Sequence, residues 1–306
     1  MEQKIVIVVG ATGRLGREIV KALLETGAKV RAMVRATSDR RKLEALGVTD
    51  FVVADMLEPE SLKSALQREP KADAIVASAA GYTRHTEGDN ERTDTEGYKN
   101  LVEASAEARI ARLVLISILE CDKAVKVSHF YHKFLVEEYL KKAGQPYIAL
   151  RPGAFLDQGR DTLGPMLAKG IYPALLPGVK LGMVYSPDLA RYAAMAAVSL
   201  PDSVLGRTVD IGWDGPADGE QLAQAFSEVL GRPIATKPAF PPFAAKVVMP
   251  LASLFNPGLR DMTAMMRWIG TGAYVSRDTK TQKELFGELP TVEEAVRRYC
   301  KDRSLV

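Results

Sequence analysis

Two hydrophobic rhythms alternate along the chain. Ile5 to Val9 is an unbroken apolar run, followed at once by Leu15, Ile19, Val20, Leu23 and Leu24 at helical spacing. A run of this kind fits a strand buried on both faces, as in a parallel sheet, with a helix packed on it. The alternation repeats. Strands are predicted at Lys29–Arg35, Phe51–Asp55, Ala72–Ser78, Arg112–Ser117 and Gln145–Arg151, and helices at Ser38–Leu46, Pro59–Arg68, Glu91–Arg109 and Val127–Ala143. Strands and helices in this order imply an α/β fold with a doubly wound parallel sheet and its ligand at the carboxyl ends of the strands.

The second half is less regular. Short strands are expected at Gly182–Tyr185 and Thr208–Gly212, and helices at Asp188–Leu200, Gly219–Leu230 (closed by Gly231) and Thr291–Tyr299. Asp188, near a helix start, suits the helix dipole better than catalysis. The stretch from Pro238 to Ile269 is apolar and rich in methionine, which reads as core, adaptable pocket lining, lid or dimer face. Lys246, Arg260 and Arg267 add a further reading, contact with a membrane surface. Residues 1–155 are expected to form a nucleotide domain, and 156–306 a smaller substrate lobe partly interleaved with the sheet.

Composition narrows the function. The chain has 306 residues, 47% hydrophobic and 26% charged, enough for a large core. A net charge of +3 gives no broad basic surface for nucleic acid. Two cysteines far apart, Cys121 and Cys300, fit a reducing compartment and a cytoplasmic location. They and three histidines show no zinc spacing, so no metal is expected. No leader is expected before the first strand. No apolar stretch is long enough to span a bilayer; prolines and Lys246 interrupt the nearest, Ala239–Phe255.

The candidate chemistry begins at Gly10-Ala-Thr-Gly13-Arg-Leu-Gly16, between the first strand and the first helix. Gly10 permits the tight turn, Gly13 a close approach of backbone to a pyrophosphate, and Gly16 close packing of helix on strand. The helix N-terminus then holds the phosphates. Arg35 ends the second strand, where NAD enzymes carry an acidic residue for the ribose 2′-hydroxyl and NADP enzymes an arginine for the 2′-phosphate. With Arg40 and Arg41 behind it, the site favours NADP(H) over a merely solvated basic loop. Asp55 is either an adenine contact or a turn residue. The small run Ala77-Ser-Ala-Ala-Gly81 leaves room for cofactor, though a close-packed strand end needs it too. His85, in the polar stretch Tyr82–Asn90, reads as a loop surface residue.

These pieces, with Thr93-Asp-Thr-Glu-Gly-Tyr-Lys-Asn-Leu101, Leu113-Val-Leu-Ile-Ser117, Lys133 with Glu137, and Leu150-Arg-Pro-Gly153, resemble the NmrA-like group of atypical, extended short-chain dehydrogenase/reductases. The second half matches only in outline. The resemblance implies a Rossmann domain and cofactor contacts from Gly10, Thr12, Gly13, Arg14, Leu15, Gly16, Arg35, Asp55, Met56, Ser78, Ala79, Ala80, Ser117, Lys133, Pro152, Gly153 and Phe155. The wider superfamily uses a Ser, and a Tyr four residues before a Lys, with Tyr as proton donor. Here Lys133 fits the Lys position, but His129 stands at the Tyr position, Leu119 at the Ser position and Asp94 where many members have Asn. Lys133 carries over as a ribose anchor, with an i,i+4 surface pair to Glu137 as the plainer alternative. His129 is either a proton donor or a surface residue of the helix start. Tyr131 and His132 are expected on other faces.

The expectation is an NADPH-dependent oxidoreductase passing hydride to an apolar carbonyl, quinone or related acceptor. Without the Tyr, an activated acceptor whose product water can protonate is favoured. The rivals are an NADP(H)-sensing regulator without turnover and an assembly scaffold. Expected partners are an apolar small molecule and, as a further candidate, a second copy of the chain.

Overall fold

The computed structural model describes residues 3–81, 91–157, 160–241, 243 and 248–306. The predicted loop Tyr82–Asn90 with His85, and Lys246, lie outside the described residues.

The central sheet is built from β1 (Ile5–Val9), β2 (Lys29–Val34), β3 (Asp50–Val53), β4 (Ala74–Ala77), β5 (Arg112–Ile116) and β6 (Tyr147–Pro152), joined by the later strand Arg207–Ile211. Its spatial order is Arg207–Ile211, β6, β5, β4, β1, β2, β3. The registered pairs, β1 with β2 and β4, β2 with β3, and β5 with β4 and β6, are all parallel. This is the doubly wound order, and it reverses between β1 and β4, so a crevice opens at their carboxyl ends. Every residue of β1, β4 and β5 is buried, as their unbroken apolar runs require. Leu62, Leu66, Leu101, Val102, Val136 and Leu140 from the covering helices pack on Ile7, Ile75 and Leu113.

Helix α1 (Arg14–Glu25) follows the glycine turn as expected. The expected helix Ser38–Leu46 shrinks to α2, Arg41–Glu44, since Asp39 pairs with Arg41 at 2.7 Å and Ser38 Oγ accepts the Arg35 N–H in a turn. After α3 (Pro59–Leu66), the expected helix Glu91–Arg109 is two elements. A π-helical stretch, Arg92–Gly97, runs into α4, Tyr98–Glu107. Gly97 lies so close to Met56 that an added Cβ would be 3.0 Å from the Met56 Cβ. Helix α5 spans Ser128–Ala143.

Contacts divide the chain into two units. One comprises 1–122, 128–151 and 187–209, and the other 123–127, 152–186 and 210–306. The first holds an unexpected buried cluster. Arg31, fully buried in β2, donates to Asp50 at 3.1 Å, and Arg68 reaches the same carboxylate at 2.8 Å. Burial pushes the Asp50 carboxyl up, but Arg31, Arg68 and Lys29 outweigh it and hold it below the usual range.

In the second unit, short parallel pairs join Ile171–Ala174 to Ala235–Pro238 and Ala154–Phe155 to Met183–Val184. Helices Gly219–Leu230 and Val292–Asp302 both open with a capping box, Asp218 with Gln221 and Thr291 with Glu294. The aromatic rings of Tyr172, Phe226, Tyr299 and Tyr185 pack in series at about 6 Å. The 238–269 stretch is not plain core: Leu251, Leu254 and Phe255 are exposed, while Thr263 and Ile269 are buried. Among the described residues, no helix is long and apolar enough to cross a membrane.

Candidate nucleotide site

The glycine turn sits at the reversal point of the sheet, and its glycines have separable jobs. Gly10 has φ +80°, and an added Cβ would lie 2.9 Å from the Ala79 nitrogen at the end of β4. At Gly16 a Cβ would fall 2.0 Å from the Gly10 carbonyl oxygen. Only a bare backbone lets β1, the turn and α1 approach this closely. Gly13 is different. It is exposed, extended at φ −65°, and stands at the N-cap of α1. No side chain caps that helix, and its first turn carries no acidic residue. A 12-residue helix therefore presents an electropositive N-terminus beside an exposed glycine, which fits a diphosphate. Thr12, Arg14 and Leu15 are half-buried around it, and the Thr12 carbonyl takes a hydrogen bond from Arg17.

The three arginines after β2 separate by their contacts. Arg41 is held by Asp39, and the Arg40 guanidinium lies over the Phe51 ring at 5.3 Å. Arg35 is exposed at the strand end, and among the described residues its guanidinium has no ion pair or hydrogen bond. Of the three, it alone has no described side-chain partner. The Asp55 carboxylate accepts the Leu57 N–H at 2.9 Å, a local turn bond at the start of α3. Met56 is buried, and its carbonyl accepts from Asn100. Ser78 donates to the Val9 carbonyl, and Ala79 and Ala80 are half-buried at the end of β4.

Lys133 is buried rather than on the surface. The surface pair with Glu137 does not form, because both residues are buried and each has another partner. The Lys133 ammonium lies 2.9 Å from Asp94 Oδ1, donates to the Ala79 carbonyl at 2.9 Å and sits 4.0 Å above the Tyr98 ring. Asp94 also accepts the Gly81 N–H at 2.8 Å, and the Tyr98 hydroxyl donates to the same Ala79 carbonyl. Burial pulls the Lys133 pKa down, but Asp94 and Tyr98 outweigh it, so the amine stays charged. Burial pushes the Tyr98 hydroxyl up, so it stays neutral. The sequence marks Asp94 only as a departure from Asn, and Tyr98 only as part of a motif. The wider π-helical turn carries both Asp94 and Thr95 into buried positions, a placement that 3.6-residue periodicity does not reveal.

His129 is buried in the first turn of α5, its ring edge-on to Phe130 at 4.7 Å, so it is not a surface residue. His132, expected on another face, meets Thr95 Oγ1 through Nδ1 at 2.7 Å. The Ser117 hydroxyl donates to Glu137 at 2.5 Å. Glu137 also takes a forked bond from Arg151, which reaches Asp122 as well. Cys121 borders this network, and burial pushes its thiol up to about 12. Leu119 is fully buried. Pro152 closes β6. In the other unit, Gly153 approaches Gly182 so closely that an added Cβ would meet its carbonyl oxygen at 2.2 Å, and Phe155 is half-buried in the pair with Met183–Val184.

The comparisons agree with this frame. The model of the NmrA-like family matches residues 2–296. The photosystem II assembly factor Ycf39 of Synechocystis sp. is 30% identical over 209 residues, covering 67% of this chain and 61% of that protein. The chain spans about half the length of curated relatives it matches, from 43% to 61% in three of them. Among solved structures, the triphenylmethane reductase of Citrobacter sp. complexed with NADP(H) superposes with TM-score 0.75 at 21% identity, over 96% of this chain and 99% of that one. The NADPH-dependent quinone oxidoreductase QOR2 of Escherichia coli, complexed with NADPH, gives TM-score 0.73 at 21% identity with the same coverage. At that identity the likeness establishes the fold alone.

Proposed function

Since the chain belongs to the NmrA-like family, we propose that it binds NADP(H) across the glycine turn and reduces an apolar, activated acceptor such as a quinone or flavin. The observation that carries the reading is the uncapped N-terminus of α1 beside exposed Gly13, with Arg35, unpaired among the described residues, at the end of β2. When bound, NADPH would supply the hydride. The turn's N–H groups and the helix dipole would hold the diphosphate. Arg35 would grip the 2′-phosphate through parallel charged hydrogen bonds, which an unphosphorylated ribose cannot accept.

Lys133 would act as a fixed cation. Asp94 and the Ala79 carbonyl hold its ammonium in place, so little reorganisation is needed on binding. No hydroxyl stands at the superfamily's Ser and Tyr positions, where Leu119 and His129 are found. Reduction of a simple ketone, whose alkoxide needs a placed donor, is therefore disfavoured against acceptors that water can protonate. The test is NADPH oxidation by the purified protein across quinones, flavins, triarylmethane dyes and aldehydes. Turnover confined to the first three supports the reading, and none with any acceptor refutes the catalytic part.

A second reading rests on the same departures and on the name of the Synechocystis relative, an assembly factor. Here the nucleotide serves as a structural or sensing ligand. Lys133, held by a buried carboxylate, then braces the site without taking part in chemistry. It predicts tight nucleotide binding, no turnover, and partner binding that depends on the nucleotide.

A further inference from the structure

Five of the ten large apolar side chains exposed among the described residues fall between positions 243 and 255: Phe243, Val248, Leu251, Leu254 and Phe255. Phe255 is 88% exposed, Leu254 65% and Leu251 60%. They stand on a built turn. The short helix Met249–Ala252 starts with a proline in its first turn and leads through residues 253–255 to Asn256. Asn256 caps the next helix, Pro257–Ile269, by accepting the Leu259 N–H at 3.1 Å. Within the turn, the N–H groups of Ser253, Leu254 and Phe255 bond back to Met249, Leu251 and Ala252. These three N–H groups are thus satisfied within the turn while the side chains project, which lowers the cost of entering an apolar medium.

The charge that follows this tip in the chain leans basic. From residue 248 to 270 the charged residues are Arg260, Asp261 and Arg267, two basic and one acidic. Arg260 folds back on the tip, its Nε 3.4 Å from the Ser253 carbonyl oxygen and Nη2 3.5 Å from that of Leu254. A guanidinium therefore stands at the base of the most exposed apolar side chains, and Arg267 is exposed one helix turn and more beyond.

We propose that this turn is an interfacial anchor: Leu251, Leu254 and Phe255 enter the headgroup boundary of an anionic bilayer while Arg260 and Arg267 meet its phosphates. Apolar tips with a cationic rim gain both from burial and from anionic headgroups, and arginine can keep its charge at the interface while its stem lies along apolar surface. A second copy of the chain is a poorer occupant, since a twofold contact would set one basic rim against another. The anchor is independent of nucleotide chemistry.

The test is flotation of the full chain with vesicles of phosphatidylglycerol and phosphatidylcholine, against phosphatidylcholine alone. Binding is expected to the anionic vesicles only and to weaken as salt rises. The double variant L254S/F255S should lose roughly tenfold or more in affinity with unchanged melting temperature, since these two side chains are exposed, and R260Q should lose a smaller factor. A F255W variant should shift its emission to the blue on binding. Failure of the wild type to float with anionic vesicles would overturn the proposal. So would flotation that L254S/F255S leaves intact, or a dimer in sedimentation velocity that this variant dissolves.

Discussion

Replacing Lys133 with methionine probes the buried pair beneath the proposed site. The Lys133 and Asp94 side chains are 5% and 1% exposed, with 2.9 Å between Nζ and Oδ1. Removing the cation leaves Asp94 buried, with the Gly81 N–H as its remaining described hydrogen-bond partner. A half-broken buried pair costs about 3–5 kcal/mol, a large share of a total stability of about 5–15 kcal/mol. Asp94→Asn leaves the ammonium uncompensated and should cost a similar amount. The double variant K133M/D94N removes both charges and should recover most of the loss. The assay is urea unfolding of all four proteins at neutral pH, read as a double-mutant cycle. Two single losses below about 1 kcal/mol that simply add would refute the claim, since a solvated pair behaves that way. The pH dependence has a definite sign. The Lys133 pKa is raised in the folded state. Its contribution is therefore complete below the ordinary lysine value of about 10.4, and is lost only as pH rises through the folded value.

Gly16→Ala would place a Cβ 2.0 Å from the Gly10 oxygen; the backbone must move, so nucleotide binding should fall by orders of magnitude in titration calorimetry even in protein that folds. Asp50→Asn strands the fully buried Arg31 and should cost about 3–5 kcal/mol in the same urea assay. Because the Asp50 carboxyl is held low, its contribution is present above the unfolded value of about 3.9 and disappears as pH falls through the folded value, so the wild-type advantage should vanish in acid. Cys121, buried with its thiol pushed up to about 12, should resist thiol reagents at mildly alkaline pH until the protein is unfolded.

The sheet was legible because parallel strands are buried on both faces and leave unbroken apolar runs, as Ile5–Val9 and Arg112–Ile116 do. The glycine turn was legible because the residue type itself encodes a close approach. Arg35 could be named, but not separated from Arg40 and Arg41, since what distinguishes them is the position of Phe51 and Asp39. The partner of Lys133 was hidden for a different reason. Asp94 lies 39 positions earlier on a π-helical turn, and a long-range pair leaves no local pattern. Glu137 misled in the opposite direction. Its i,i+4 spacing to Lys133 suggests a surface pair, but Arg151 claims it from the end of β6. The tip at Leu254 and Phe255 could not be read from composition, because an apolar run looks the same whether it packs inward or projects.

The central claim is that a 2′-phosphate is recognised at the end of β2. It is tested most directly by calorimetric titration of NADPH and NADH into the wild type and Arg35→Ser. The account predicts that the wild type prefers NADPH by roughly tenfold or more, as loss of a charged hydrogen bond worth about 1.5–3 kcal/mol implies, and that R35S removes most of that preference while still binding NADH. Equal affinity of the wild type for both nucleotides, or a preference for NADPH that survives in R35S, would contradict it.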